Sequence, residues 1–175
     1  MTTDMKMLRE MMRLLESGKK VALCTIVEKV GSGPRDIGAK MVVSENGKTA
    51  GTIGGGKLET TLIDEALKAL KEGKPRKAVF SLYKEGKEGM IETGLICGGE
   101  LTIFIDVIEP KRRLILIGAG HVAWPLAKLA DVLGFGLIVI DENEELANKE
   151  RYTVTEKNVK GNFIEILDKV EICPS

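Results

Sequence analysis

The spacing of apolar residues predicts that the first hundred residues mix helices with strands. Near the N-terminus, apolar side chains recur at positions i, i+3, i+4 and i+7, which is typical of an amphipathic helix ended by Ser17-Gly18. The residues of this face are Leu8, Met11, Met12 and Leu15. The apolar run 21–27 predicts a strand. Segments 40–44 and 48–53 flank Asn46-Gly47, a pair typical of a two-residue hairpin turn.

A second helix and two more strands complete the N-terminal part. From about Lys57 the apolar residues share one helical face, and Gly73 ends the helix. The residues of this face are Leu58, Leu62, Ala66 and Leu70. Strands are predicted at 78–82 and 101–108. The proline and charges of 109–113 are typical of a linker, so we predict two domains, residues 1–109 and 110–175.

The second domain begins with a βαβ unit, which predicts a parallel-sheet, Rossmann-like domain of the α/β class. Its strands are expected at 114–117 and 137–141, with a helix from His121 between them. A short helix near 144–149, a weak strand around 152–154 and a helix from 162 to 170 follow. This is half of a Rossmann fold. Its first strand would have an unpaired edge, so we expect a homodimer that covers that edge and the helix.

Composition excludes several classes of protein. Lys plus Arg and Asp plus Glu are both 26 and aromatic residues are 4%, which argues against nucleic-acid binding. Hydrophobic residues at 43% exclude disorder. Three dispersed cysteines and one histidine predict no metal site. The N-terminus lacks the features of a signal peptide and no run of eighteen apolar residues occurs, so we expect a cytoplasmic protein without membrane contact.

The Gly-Ala-Gly turn at 118–120 has the spacing of a dinucleotide-binding fingerprint. Gly118 permits a tight turn, Gly120 lets the backbone approach a pyrophosphate, and Asp141 ends the next strand, where it can accept ribose hydroxyls. NAD or another adenine nucleotide is therefore a candidate ligand, and the Asp141 charge would disfavour a 2′-phosphate. We interpret His121 as a neutral hydrogen-bonding group. The alternative is a Rossmann-like unit without a nucleotide.

Three further glycine-rich loops carry candidate chemistry. Gly54, Gly55 and Gly56 precede a helix and could form an anion cradle, with Lys57 adding a charge that Glu59 partly offsets. The alternative is a tight loop in which glycine only satisfies the backbone.

The other two loops are a turn and a glycine-flanked thiol. Ser32 and Arg35 provide a hydroxyl and a guanidinium for an anion, although the turn taken alone is more typical of an exposed surface turn. Cys97 is followed by Gly98 and Gly99 and is the candidate reactive thiol, whereas Cys24 is expected to be buried in a strand.

Taken in this order, the loops resemble the XdhC/CoxI family of molybdenum-hydroxylase accessory proteins. The matching stretches are GSGPRDIGAKMVV, GTIGGGKLE, CGGELTIFIDVIEP and LILIGAGHVAWPLAKLADVLGFGLIVID. The resemblance implies an N-terminal α/β domain and a C-terminal Rossmann domain. It also implies a chaperone that binds molybdenum cofactor, assists its sulfuration with a cysteine desulfurase as a further partner, and inserts it into the apo-enzyme of a xanthine or CO dehydrogenase.

Position by position, the resemblance extends to most of the candidate residues. Ser32 and Arg35 match the family's Ser-Pro-Arg turn, with Gly33 in place of a second serine. The triple glycine, Glu59 and the Cys97 motif also match, whereas Lys57 stands where many members have cysteine. Family Rossmann domains continue past the position of Ser175, so the C-terminal part of that domain is expected to be missing.

Three functions remain open from the sequence. A cofactor-binding chaperone is favoured over an enzyme with turnover. An NAD(P)-dependent oxidoreductase would need a second half-domain and further catalytic residues. A nucleotide-binding interaction module without catalysis would use the glycine loops only as scaffolding.

The glycine-flanked thiol generates a first testable prediction. We expect limited iodoacetamide treatment of the folded protein to alkylate Cys97 before Cys24, because a thiol between flexible residues is accessible and a strand thiol is not. Peptide mapping by mass spectrometry measures the order of labelling. Preferential labelling of Cys24 would contradict the assignment of Cys97.

Overall fold

The structure is a computed structural model that describes residues 3–83, 89–93, 98–143, 145–148, 150–152 and 157–160. Its backbone divides into two compact units, Met1–Pro110 and Lys111–Ser175. The assignment of residues 1–109 and 110–175 as independent domains stays a prediction. Cys97, Cys173 and the helix expected at 162–170 lie outside the described residues.

The first unit is a six-stranded sheet with one helix on each face. Its elements are α1 (Thr3–Glu16), β1 (Val21–Gly31), β2 (Lys40–Ser44), β3 (Thr49–Gly51), α2 (Gly56–Glu72), β4 (Arg76–Ser81), β5 (Ile91–Glu92) and β6 (Gly99–Ile108). The strand order is β3-β2-β1-β6-β4-β5, and all pairs are antiparallel except β4 with β5. This arrangement confirms the predicted mixed α/β fold.

Alternation along the central strands explains why both faces of the sheet carry a helix. In β1, Ala22 and Cys24 are buried in the core that packs against α2, while Val21 faces the cluster formed with α1. Side chains of a strand point to opposite faces in turn, so a continuous apolar strand needs cover on both sides. The predicted face of α2 is confirmed, with Ala69 as an additional buried residue, and Gly73 ends the helix at φ 64°.

The packing face of α1 differs from the predicted one. Met7 and Leu14 are the buried residues of this helix, with Met11 and Leu15 partly buried beside them, whereas Leu8 and Met12 are 40% and 52% exposed. Met7, Met11 and Leu14 also follow helical spacing, so periodicity alone admits both faces. The sheet surface around Val42 selects the face that is buried.

The hairpin between β2 and β3 is confirmed, but its turn is longer than predicted. Ser44 N–H donates to the Lys48 carbonyl at 2.9 Å, which leaves three residues, 45–47, in the loop. Gly47 has φ 75° and donates its N–H to the Ser44 carbonyl. A three-residue loop closed by a left-handed glycine is the next most common hairpin turn after the two-residue type.

The second unit is a three-stranded parallel sheet with a helix. Its elements are β7 (Arg113–Ile117), α3 (Ala123–Val132), β8 (Gly136–Asp141) and β9 (Lys157–Lys160), with the strand order β7-β8-β9. This confirms the predicted Rossmann-like parallel sheet. Residues 145–148 form a turn rather than the predicted helix. In this turn the Leu146 and Ala147 amides both donate to the Asn143 carbonyl.

The weak strand predicted at 152–154 is also wrong at its first residue. Tyr152 lies outside any strand, and the strand that pairs with β8 is β9 at 157–160. Tyr152 is 1% exposed and packs in the core of this unit. Its apolar, β-favouring ring is therefore explained by burial rather than by sheet pairing.

The helix α3 is apolar on two faces, of which only one is covered. Its inner face consists of Ala123, Ala127 and Ala130, which pack in one cluster with the β8 side chains Leu137 and Val139. Its outer face exposes Val122, Leu126, Leu129, Val132 and Leu133, by 41% to 83% of their surface. Within the part of the chain that the structure describes, none of the helices is long and apolar enough to cross a membrane.

Candidate functional site

Three of the glycine-rich loops predicted as functional meet in the first unit. The turn 31–35, which follows β1, packs its backbone directly against the diglycine that begins β6. A Cβ atom on Gly99 would overlap the Ser32 carbonyl oxygen and lie 2.8 Å from that of Val30, and one on Gly31 would lie 2.6 Å from the Gly98 carbonyl oxygen. Only glycine permits backbones to approach this closely.

The same turn also contacts the triple-glycine loop. The Pro34 ring packs so closely on Gly54 that a Cβ atom there would overlap its Cβ and Cγ atoms. The turn 31–35 thus joins the loop 51–56 to the diglycine 98–99, and we call this group of three loops the three-loop cluster. On its surface, Ser32, Arg35 and Lys57 are exposed.

The diglycine is tied to the end of β4 by two backbone hydrogen bonds. Gly98 N–H donates to the Leu82 carbonyl at 3.0 Å, and Leu82 N–H donates to the Gly99 carbonyl at 2.8 Å. Gly98 has φ 74°, a conformation that L-residues with side chains rarely adopt. The residue that directly follows Cys97 is therefore held within the three-loop cluster.

The anion cradle predicted at Gly54–Gly56 requires a correction. Glu59 Oε1 accepts hydrogen bonds from the Thr52 hydroxyl at 2.5 Å and from the amides of Ile53 and Gly55 at 3.0 Å. The Gly54 amide donates to Thr52 Oγ1 at 3.2 Å. The chain's own hydroxyl and carboxylate therefore use the Gly54 and Gly55 amides, so a phosphate would have to displace Thr52 from Gly54 and Glu59 from Gly55.

These contacts set the charge state of Glu59. Partial burial acts to raise its pKa, but the bonds from Thr52 and from the backbone amides together hold that pKa below the ordinary value. All three glycines have positive φ, between 61° and 138°. The loop is thus shaped by glycine conformations and closed by an ionised Glu59. The sequence predicted a different role for Glu59, which was to offset the charge of Lys57.

The fingerprint loop of the second unit is closed in a similar way. Gly118 N–H donates to the Ile140 carbonyl at 2.8 Å, and Ala119 N–H donates to Asp141 Oδ2 at 2.6 Å. Asp141 Oδ1 accepts from the Asn143 amide at 2.8 Å. These bonds lower the pKa of Asp141. Each carboxylate oxygen has a second acceptor position, so the side chain can still bind a ribose hydroxyl.

The space directly beside the two glycines of this loop is open. A Cβ atom on Gly118 or Gly120 would meet no neighbouring atom within 4 Å. Helix α3 begins two residues after His121, with no side-chain cap and no acidic residue in its first turn. The loop therefore fits a pyrophosphate in its shape and its electrostatics.

Sequence reasoning missed three residues of this loop's surroundings. The Tyr152 phenol donates to the Ala119 carbonyl at 2.8 Å, and the Arg151 guanidinium lies near enough to the same phenol to influence its pKa. Trp124, Arg151 and the predicted His121 line an open depression of about 360 Å³. A surface arginine and a tryptophan in a helix have no distinctive spacing, so no sequence pattern reveals this grouping.

The thiol and metal expectations have different outcomes. Cys24 is fully buried and its pKa is raised to about 12 by burial, which confirms its interpretation as a small core residue. Cys97 lies outside the described residues. Among the residues that are described, no three His, Cys, Asp or Glu side chains come together as a metal site would require.

Comparison with known proteins places both units in related families. A family model described as "XdhC and CoxI family" matches residues 14–82, and one described as "XdhC Rossmann domain" matches residues 114–170. Together they match more than half of the chain.

Two proteins of Escherichia coli (strain K12) are similar in sequence. "Uncharacterized protein YqeB" is 38% identical over 168 residues, which cover 94% of this chain and 30% of YqeB. "Molybdenum cofactor insertion chaperone PaoD" is 34% identical over 110 residues, which cover 63% of this chain and 33% of PaoD. The chain thus spans about a third of the length of these curated relatives.

One similar solved structure is described as a xanthine dehydrogenase from Bacillus halodurans. It shares 20% sequence identity with this chain at a TM-score of 0.46, covering 99% of this chain and 72% of that one. A similarity of this size supports no conclusion about function.

The hydrogen bonds of the partly buried Glu59 generate a prediction about acid stability. Because the folded-state pKa of Glu59 is lowered, its contribution to the free energy of unfolding is present above the ordinary glutamate pKa and is lost as the pH falls through the folded-state value. We expect Glu59→Gln to lower the free energy of unfolding by about 1–2 kcal/mol at pH 7 and by less near pH 3.

Urea unfolding of wild type and variant at both pH values measures this difference. Glu45→Gln is the matched control, because Glu45 is exposed in the β2–β3 turn and its replacement should change little at either pH. An equal loss of stability at pH 3 and pH 7 would contradict the role of an ionised Glu59.

Proposed function

The chain belongs to the XdhC and CoxI family, and from this membership we propose that it is an accessory protein that binds molybdenum cofactor for a molybdenum hydroxylase. The single observation that carries the proposal is the three-loop cluster. Three loops that are distant in sequence pack on one another through glycine backbones. Unusual backbone conformations of this kind cost conformational free energy and cluster at functional sites, so we take the surface that they form as the binding surface.

The exposed groups of the three-loop cluster suit this ligand. Molybdopterin carries a phosphate, and Arg35 and Lys57 provide two exposed cations beside the loops. Because Glu59 occupies the amides of the loop 51–56, we place the phosphate against these side chains rather than in the backbone cradle. Glu59 then acts by shaping the loop. The name of the relative PaoD, a molybdenum cofactor insertion chaperone, supports the same ligand.

The finer parts of the proposal concern sulfur and partners. We assign assistance in sulfuration to Cys97, whose neighbour Gly98 is anchored in the three-loop cluster. A cysteine desulfurase is the partner that would supply sulfur, and a xanthine or CO dehydrogenase apo-enzyme is the partner that would receive the cofactor. These assignments rest on the family resemblance and on the position of Gly98 and Gly99.

A second binding function is favoured at the fingerprint loop. The open space at Gly118 and Gly120, the uncapped start of α3 beside His121, and the position of Asp141 fit NAD or another adenine nucleotide. We propose this loop as a nucleotide site, either for an independent nucleotide or for a nucleotide part of the cofactor.

We also propose that the chain forms a homodimer through β7 and α3. Strand β7 stands at one end of the strand order β7-β8-β9, and the outer face of α3 exposes a stripe at helical spacing, Val122, Leu126, Leu129 and Leu133. The same helix carries Lys128 and Asp131, so two antiparallel copies would place opposite charges beside the apolar stripe. The outer face of α3 is therefore complementary in charge to the same face of a second copy of this chain.

Light scattering tests the dimer. We expect a mass twice the 19.0 kDa of one chain at micromolar concentration, and a monomer for Leu129→Glu, because a buried charge in the stripe has no partner. Ile37→Glu is the control, since Ile37 is 61% exposed in the first unit and should leave the dimer intact. A wild-type monomer would contradict the proposal.

Cofactor retention tests the proposed accessory function. After anaerobic co-expression with molybdopterin biosynthesis, we expect the purified protein to carry molybdenum and pterin, measured by mass spectrometry and by fluorescence of the oxidised pterin. Arg35→Gln should reduce retention about tenfold, which corresponds to one lost charge-assisted hydrogen bond. Arg9→Gln removes an exposed charge from α1 and should retain the cofactor. Absence of pterin from the wild-type protein would contradict the function.

A further inference from the structure

We propose that Arg151 and His121 form a diphosphate-binding subsite beside the fingerprint loop, with Trp124 as its apolar wall. The inference rests on the nucleotide site proposed for this loop, and it adds the groups that recognise the ligand's charge. The three side chains come from two separate segments, the start of α3 and the turn before β9. They line an open depression of about 360 Å³, within the range of small-molecule sites.

The backbone of Arg151 is anchored at this position. Its backbone N–H donates to Asn148 Oδ1 at 2.8 Å. Its guanidinium lies near the Tyr152 phenol and lowers that phenol's pKa against the larger effect of burial, which raises it; the phenol donates to the Ala119 carbonyl of the fingerprint loop. Because Tyr152 is buried, this chain of contacts is fixed to the core of the unit. A guanidinium has five donors in a planar fork, so the Tyr152 contact leaves donors for an anion.

The surroundings of the depression favour negative charge. The first turn of α3 has neither an acidic residue nor a side-chain cap, and Lys128 lies 3.6 Å from the centre of the Trp124 ring. Asp141, the acidic group of the fingerprint loop, has an amide donor on each of its oxygens. Lys128 and Arg151 therefore contribute positive charge beside the depression, and Asp141 contributes one negative charge to the fingerprint loop.

Two neighbouring phosphates match this arrangement better than one. A phosphate at Gly120 would lie at the start of α3, and a second one could reach the guanidinium fork of Arg151. The diphosphate could belong to an adenine nucleotide or to a nucleotide form of the pterin cofactor. Both share the pyrophosphate linkage, and it is this linkage that we assign to the subsite.

The chain has a built-in reporter of this subsite, because Trp124 is its single tryptophan. Tryptophan fluorescence of the full chain can be followed during titration with inorganic pyrophosphate, ADP, CDP and adenosine. We expect pyrophosphate and both diphosphates to change the emission with saturation. Adenosine alone should bind at least about tenfold more weakly, since it lacks the charged groups.

Three variants separate the role of Arg151 from general charge. Arg151→Gln should weaken binding of pyrophosphate and ADP about tenfold or more, and Arg151→Lys should weaken it less because the charge remains without the fork. Lys111→Gln removes an exposed charge from the same unit and should leave affinity unchanged. Thermal unfolding of each variant checks that the Tyr152 contact can be lost without loss of the fold.

The outcomes distinguish the subsite from the nucleotide site. Equal affinity of wild type and Arg151→Gln for ADP would overturn the subsite and leave nucleotide binding in place. Arg151-dependent binding of pyrophosphate without any preference for ADP would support the subsite and count against an adenine nucleotide. Stronger binding of ADP than of CDP would identify adenine as part of the ligand. If no probe changes the emission at millimolar concentration, both proposals fail.

Discussion

Close approach of one backbone to another is the constraint on which the candidate site of the first unit depends. The Gly99 backbone lies against the Ser32 carbonyl, and the Gly54 backbone lies under the Pro34 ring, at distances that leave no room for a Cβ atom. If any side chain stood at these positions, the three loops would have to separate. The exposed cations Arg35 and Lys57 can belong to one surface only because the glycines allow the loops to meet.

Carboxylates of the chain itself complete both glycine loops. Glu59 closes the loop 51–56, and Asp141 closes the fingerprint turn, each by accepting backbone amide hydrogen bonds. An amide that points into a turn must be satisfied, and an anionic acceptor satisfies it more strongly than a neutral one. A glycine-rich loop is therefore not automatically an empty anion site. At Asp141 the second acceptor position of each oxygen leaves the binding role available, whereas at Glu59 a ligand would have to compete.

The two units position their cationic side chains by different means. In the first unit the cations stand on loops that glycine contacts hold together. In the second unit the Arg151 backbone is held by Asn148, next to the buried Tyr152 whose phenol donates to the Ala119 carbonyl. A buried Tyr152 costs little because its hydroxyl finds an acceptor. Its burial raises its pKa and keeps it a donor to the Ala119 carbonyl.

The sequence by itself determined most of the elements, because helices and strands follow from local spacing; the helix near 144–149 and the strand at 152–154 were the exceptions. The α2 face, the β2–β3 hairpin and the βαβ unit around Gly118 were predicted from periodicity and turn chemistry. Resemblance of four motifs also identified the family. Local spacing could not select between two possible faces of α1, since Met7 and Leu8 both begin an apolar repeat; the sheet beneath made that choice.

Tertiary structure alone decided which groups meet. The contact of Gly99 with Ser32 joins positions far apart in the chain, and no local pattern encodes such a distance. Likewise, Glu59 was predicted to offset a neighbouring charge, and only the folded loop shows that the backbone amides turn toward it. Arg151 and Tyr152 gave no sequence signal, because a side chain acquires its role from partners that the fold brings to it. Spacing along a chain specifies the faces of elements, whereas a binding surface depends on contacts between elements.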